Sequence, residues 1–290
     1  MSASKILICA TNGTKLLDGR PTGCWAEEVG SPYLLWRQKG FTVDLASVSG
    51  GEIPWDQASL EGDFFTPEAQ AFMKDEHALK AMKATPSAEE VLAQGIDSYD
   101  ALFIPGGHGI VFDGTGDALR SLVEAFWSAG KVVSSVCHGP AGLTTAKDAN
   151  GDSILKGRQC TGFSNSEERA VGKDKAVPFL LEDRMKELGG AYTAGPDWQP
   201  HAVADSKLIT GQNPGSSKRV AELVIEALGS GLKEPVHGKG PHEGFHRRPK
   251  EVTSQHHDHH DERPRQGARH DEPDPSKARS SWHQSYRPPI

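Results

Sequence analysis

A strand-like run, Lys131-Val132-Val133-Ser134-Ser135-Val136, breaks at Cys137-His138-Gly139-Pro140-Ala141-Gly142 and restarts as a helix. A side chain on so sharp a strand-to-helix turn stands exposed at the sheet's edge and faces the first turn of the helix that follows. Gly139 relieves crowding there, and Pro140 suits a first helical turn, where its missing N–H is no loss. A thiolate so placed gains from the positive end of the helix dipole, one route by which a cysteine pKa falls below its free value of about 8.5. Cys137, with His138 directly after it, is therefore the candidate nucleophile.

A second segment has the same logic. Tyr99-Asp100-Ala101-Leu102-Phe103-Ile104 runs into Pro105-Gly106-Gly107-His108-Gly109, a turn whose glycines permit positive φ and close backbone approach. Its free N–H groups suit an anion, and His108 either joins them or merely shapes the turn. The other cysteines differ from Cys137: Cys9 and Cys160 lie in apolar or strand-like sequence and read as buried thiols. Cys24, in a loop beside Trp25, stays between the two readings. Four cysteines with no CxxC pair make neither a zinc site nor a disulfide scaffold in a chain this long.

The elements that must position these groups follow from the pattern. Lys5–Ala10, Thr42–Val48, Tyr99–Ile104 and Lys131–Val136 are nearly continuous apolar runs rich in β-branched residues, as strands covered on both faces should be. Between them lie helical stripes. Leu119, Leu122, Val123, Phe126 and Trp127 share one face within Asp117–Ala129, and Gly130 follows as a stop. Val220, Leu223, Val224 and Leu228 mark a last helix after Asn213-Pro214-Gly215, and Val177–Leu188 reads as another, ended by Gly189-Gly190. Alternating strands and helices imply right-handed crossovers and a doubly wound α/β fold, a parallel sheet sandwiched by helices. The stretch 51–96 is too long for a simple connection and reads as a small helical insertion over the sheet. In such sheets ligands bind beyond the carboxyl ends of the strands, where both segments above lie.

Composition bounds the rest. The chain has 290 residues with 32 Lys+Arg against 39 Asp+Glu, a formal charge of -7, so no basic field exists to hold a phosphate backbone and nucleic acid is excluded as a partner. No apolar stretch approaches the roughly 20 residues of a spanning helix, and Ile6–Ala10 is too short for a signal-peptide core. The expected location is therefore cytoplasmic, with the nucleus left open, and no membrane is involved. Near Lys233 the composition changes: residues 233–290 hold nine of the 13 His and eight Pro with few apolar residues, too little to offset the entropy of ordering. The expected organisation is thus one α/β domain over 1–232 and a disordered tail over 233–290. The run His256-His257-Asp258-His259-His260 could take up a metal adventitiously, but no functional metal site is expected.

Four segments, WAEEVGSPY (25–33), PGGHG (105–109), VCHGPAGL (136–143) and LITGQNPGSS (208–217), resemble the ThiJ/PfpI superfamily over about residues 5–230. The likeness is to its branch of glutathione-independent glyoxalases with stress-chaperone relatives. It implies a flavodoxin-like sandwich, a homodimer, a cysteine on the elbow and a glutamate from the first helix beside it. Carried over, the cysteine is Cys137 and the glutamate is Glu27, with Glu28 the neighbour most easily confused with it. Residues 27 and 28 point about 100° apart on a helix, so only one faces the site. His138 would act with a downstream acid, Glu168, for which Glu167 is the rival; Trp198 and His201 read as lining a loop.

The chemistry implied is conversion of a 2-oxoaldehyde such as methylglyoxal to a 2-hydroxy acid, with no metal or organic cofactor. Cys137 would form a hemithioacetal whose oxyanion rests on N–H groups near Gly106, Gly107 and His138, with His108 close by. An ionised Glu27 would repel a thiolate, so the arrangement favours a protonated glutamate with a raised pKa, donating to sulfur. Three rivals remain: a redox-sensing or chaperone-like protein that binds unfolded clients, a protein deglycase, and a cysteine amidotransferase or peptidase. The last needs a late His-x-Glu, whereas His201 is followed by Ala202-Val203.

Overall fold

A computed structural model describes residues 4–229. The strands are β1 (Lys5–Ala10), β2 (Thr42–Ser47), β3 (Ala101–Ile104), β4 (Val132–Val136), β5 (Gln159–Cys160), β6 (Ala191–Tyr192), β7 (Ala202–Asp205) and β8 (Leu208–Gly211). The helices are α1 (Ala26–Gln38), α2 (Pro67–Phe72), α3 (Glu76–Met82), α4 (Ala88–Gln94), α5 (Ile110–Asp113), α6 (Asp117–Ser128), α7 (Asn165–Ala170), α8 (Leu181–Glu187) and α9 (Ser217–Gly229).

The main sheet has the order β2-β1-β3-β4-β8-β7, parallel except for β7, which runs antiparallel to β8. In register, Ile6 lies between Val43 and Ala101, and Ser134 pairs with Phe103 and Ile209. Strands β1, β3, β4 and β8 are buried almost throughout, which is why their sequences run apolar rather than alternate. Ser134 and Ser135 are the polar exceptions in β4, and Ser134 donates to Leu102 O at 2.9 Å.

Connections to β2 and to β3 step across the sheet in opposite directions, so right-handed crossovers place their helices on opposite faces. Accordingly α1 packs with α9, and α4 with α6. Trp36 of α1 is fully buried, donates to Ala221 O at 3.1 Å and meets Phe103 edge-on at 5.3 Å. Between β2 and β3 two 3₁₀ turns precede α2, α3 and α4. These short helices are set by side-chain N-caps, Thr66, Asp75 and Ser87, each accepting from the N–H three residues on.

Three differences from the sequence expectation matter. The sheet carries an antiparallel edge strand, whose turn to β8 is made by Ser206 at φ 56 rather than by the glycine or asparagine that flags such turns. Helix α8 begins only at Leu181, after Leu180 in extended geometry as its N-cap. Most consequential, the chain after Cys137 forms a 3₁₀ helix of five residues, Gly139–Leu143, not a full α-helix. The expected tail, His256 to His260 included, lies outside the described residues.

Candidate active site

Cys137 sits where β4 ends, with φ 59, in the left-handed region that side chains rarely occupy. The surroundings hold it there: its N–H donates to Gly211 O at 2.9 Å, and its carbonyl accepts from Phe163 N at 2.8 Å. Two glycines make the close packing of this elbow against the end of β3 feasible. A Cβ on Gly139 would lie 2.1 Å from Ile104 O, and one on Gly106 would lie 2.6 Å from His138 N. Gly107, at φ +85, lets the turn after β3 approach Gly23 and Trp25 before α1.

These contacts bring three chain segments to one point. From α1, Glu28 reaches over the strand ends and accepts from Gly106 N at 2.6 Å through Oε2. Its carboxyl also hydrogen-bonds to the Cys137 sulfur. Burial pushes the Glu28 pKa up to about 8, against the pull of those two hydrogen bonds. Oε1 is buried and receives no donor, which makes it the natural seat of the proton. At neutral pH Glu28 is thus a neutral acid beside sulfur.

Glu27 takes the other direction, a correction to the expectation from its position. Its carboxyl accepts from Thr66 Oγ1, the N-cap of α2, and burial raises its pKa to about 7. The helix phase explains this. Gly30, one turn further on, presses against α2 so closely that a Cβ would lie 2.9 Å from Phe72 Cβ. Glu27 shares that stripe, whereas Glu28 is rotated about 100° toward the sheet. A glycine inside a helix marks a close crossing, and this signal was available to assign the pair.

The proton path from sulfur is continuous. Cys137 Sγ lies 3.4 Å from His138 Nδ1, and His138 Nε2 lies 2.6 Å from Glu168 Oε2. Glu168 is held well below the usual carboxylate range: burial would raise it, but the two histidines facing it more than compensate. An ionised Glu168 accepts only, so His138 carries its proton on Nε2 and leaves Nδ1 free for the thiol. Phe163 backs His138 at a ring separation of 4.5 Å, and Trp198 stands 5.9 Å beyond Phe163.

The thiol departs from expectation. Cys137 is buried, not exposed, and its pKa is raised rather than lowered, first by burial and then by the Glu28 carboxyl. A five-residue 3₁₀ turn supplies too little dipole to reverse this. Only the His138 N–H pulls the other way.

The remaining candidates separate cleanly. Glu167, the rival to Glu168, is buried and structural: it accepts from Ser164, from Asn213 Nδ2 and from Trp198 N, the latter two at 2.8 Å. His108 points away from any oxyanion, with Nε2 2.8 Å from Glu168 Oε1. His201 pairs with Thr193 Oγ1 at 3.0 Å, outside this set. Cys9, Cys24 and Cys160 are buried free thiols, and burial raises all three.

Ligand atoms of His108, His138 and Glu168 lie within 4.8 Å of one another, the spacing of a metal cluster. Their pairing is that of hydrogen bonds, however. Each Nε2 faces its own Glu168 oxygen, so both ring N–H groups donate and offer no lone pair to an ion.

The chain is similar to known proteins over most of its length. The DJ-1/PfpI family matches residues 22–227. The glutathione-independent glyoxalase HSP31 of Saccharomyces cerevisiae is 33% identical over 242 residues, covering 79% of this chain and 99% of that protein. Glyoxalase 3 of Candida albicans is 32% identical, covering 77% and 98%. The crystal structure of glyoxalase III from Candida albicans superposes with a TM-score of 0.70 at 30% identity, covering 77% of this chain and 97% of that one.

Proposed function

The chain belongs to the DJ-1/PfpI family, and on that premise we propose that it is a glutathione-independent glyoxalase, a lyase converting methylglyoxal or a related 2-oxoaldehyde to a 2-hydroxy acid. The observation that carries the reading is the buried line Glu28, Cys137, His138, Glu168, in which a neutral acid and an imidazole nitrogen flank one thiol.

A raised thiol pKa suits addition with concerted proton transfer rather than a standing thiolate. As sulfur bonds to the aldehyde carbon, His138 Nδ1 takes the thiol proton and Glu168 steadies the imidazolium. The new oxyanion is placed near the N–H groups of Gly107 and His138, then receives that proton, giving a hemithioacetal and returning His138 to the neutral base. His138 next removes the proton from C1, leaving an enediolate whose C2 oxygen takes up the proton of the C1 hydroxyl. Return of the proton from His138 to C2 then leaves a 2-hydroxy thioester on Cys137. Water cleaves it, releasing the 2-hydroxy acid and restoring the thiol. No electrons enter or leave, so the isomerisation and hydrolysis need no redox partner. Glu28, kept neutral by burial, places no negative charge beside the sulfur during addition.

The rivals fit less well. A thiol buried and pushed upward is a poor oxidation sensor, since reactivity follows thiolate character and access. The amidotransferase reading lacks a base at His201, which bonds Thr193. Incubation with methylglyoxal and no added glutathione, with lactate followed as product, tests the proposal. Sustained formation supports it, and a single stoichiometric adduct without product overturns it.

A further inference from the structure

The buried line of polar groups does not stop at Glu168. His108 Nε2 meets the second Glu168 oxygen, Oε1, at 2.8 Å, and His108 Nδ1 lies 3.4 Å from Lys173 Nζ. Lys173 in turn stands 3.7 Å from Asp56 Oδ2, whose carboxylate also accepts from Thr22 Oγ1 at 3.0 Å. The two imidazoles lie against each other, with ring centroids 4.0 Å apart.

Donor and acceptor rules leave one assignment. An ammonium has only donors, so His108 Nδ1 must be the acceptor and Nε2 must carry the proton, which goes to Glu168. Glu168 then accepts two N–H groups, one through each oxygen, and has no freedom to rotate or to take the proton of either ring. Burial and the neighbouring His138 also hold His108 neutral, with its pKa down to about 3. A second positive ring 4.0 Å away would oppose the imidazolium that His138 must become.

We propose that His108 and Lys173 are positioning residues for proton transfer: Lys173 sets the His108 tautomer, His108 anchors Glu168, and Glu168 so anchored keeps His138 with Nδ1 open to the Cys137 thiol. Neither residue touches the reacting atoms. The proposal rests on Cys137 being the nucleophile but not on the identity of its substrate.

The test therefore uses alkylation of Cys137 by iodoacetamide, read by peptide mass mapping, on the full chain at pH 7. His108→Leu removes the donor to Glu168 and should slow alkylation about tenfold or more, part of the ~100-fold a positioned base contributes. His108→Gln, whose amide N–H reaches the position of Nε2, should stay within about threefold of the parent rate. Lys173→Met should fall between them. A folded Leu variant alkylated at the parent rate, or a Gln variant as slow as Leu, overturns the proposal. Should the Leu variant fail to fold, nitrogen-15 NMR of the unaltered protein decides: neutral His108 and His138 both protonated on Nε2 support it, and a proton on Nδ1 of either ring refutes it. If methylglyoxal is not turned over while these outcomes hold, the substrate reading fails and this one stands.

Discussion

The Cys137 thiol hydrogen-bonds to the Glu28 carboxyl in buried surroundings, so the pair carries at most one charge at neutral pH. Burial pushes both groups toward their neutral forms, and the adjacent backbone N–H of Gly106 is the only other donor to Glu28. Glu27, its neighbour in sequence, is spent on Thr66.

That geometry discriminates between the two glutamates in a kinetic experiment. Glu28→Gln should lower kcat/KM for methylglyoxal by about 100-fold or more, the scale of a lost acid or base, and Glu27→Gln by only a few-fold. Steady-state rates of the two variants, with folding checked by circular dichroism, measure this. Equal losses would return the role to Glu27.

Cys137→Ser should abolish lactate formation while leaving the thermal midpoint within about 2 °C, because a hydroxyl nearly matches the thiol in volume at a site already framed by hydrogen bonds. A variant that still turns over would exclude the covalent route.

The pH dependence of stability follows from the two raised glutamates, Glu27 at about 7 and Glu28 at about 8, and the variant Glu28→Gln isolates the second. The Glu28 pKa is about 8 when folded against an ordinary 4.5, so the folded state binds a proton that the unfolded state releases across that window. Its contribution is complete below pH 4.5 and is lost as pH rises toward 8, at no more than about 1.4 kcal/mol per pH unit. Glu28→Gln removes that slope, so its stability relative to the parent should rise steadily between pH 5 and 8 and stay flat below 4.5. Urea melts at several pH values measure it. The Glu168 shift has the opposite sign, and its window lies below the ordinary carboxylate pKa, so the two do not overlap.

Gly139→Ala should destabilise by about 1–3 kcal/mol, as overpacking against rigid structure does, since the new Cβ would meet the Ile104 carbonyl at 2.1 Å. Gly40→Ala offers the contrast: Gly40 sits at φ +86 with nothing within 4 Å, so a backbone penalty of roughly 1 kcal/mol acts there alone, without the steric clash that Gly139→Ala meets. Thermal melts of the two variants compare directly.

Strands β1 to β4 and helix α6 were legible as patterns because doubly covered strands and a one-sided helix impose periods that few other structures share. The two-residue strands β5 and β6 have no period to read, and β7 turns into β8 through Ser206, a residue that signals nothing.

For the site, amino-acid types and order alone singled out Cys137 on an elbow after an apolar strand, with His138 next to it and three glycines in the neighbouring turn. Those are local facts, written in adjacent residues. Which glutamate meets the sulfur, that Glu168 bonds two histidines while Glu167 braces Trp198, and that the thiol is raised rather than lowered depend on packing between segments far apart in the chain. Helix phase against α2, the depth of burial and the length of the turn after Cys137 are properties of the assembled sandwich, and desolvation, which exists only once that sandwich closes, sets the charges the chemistry uses.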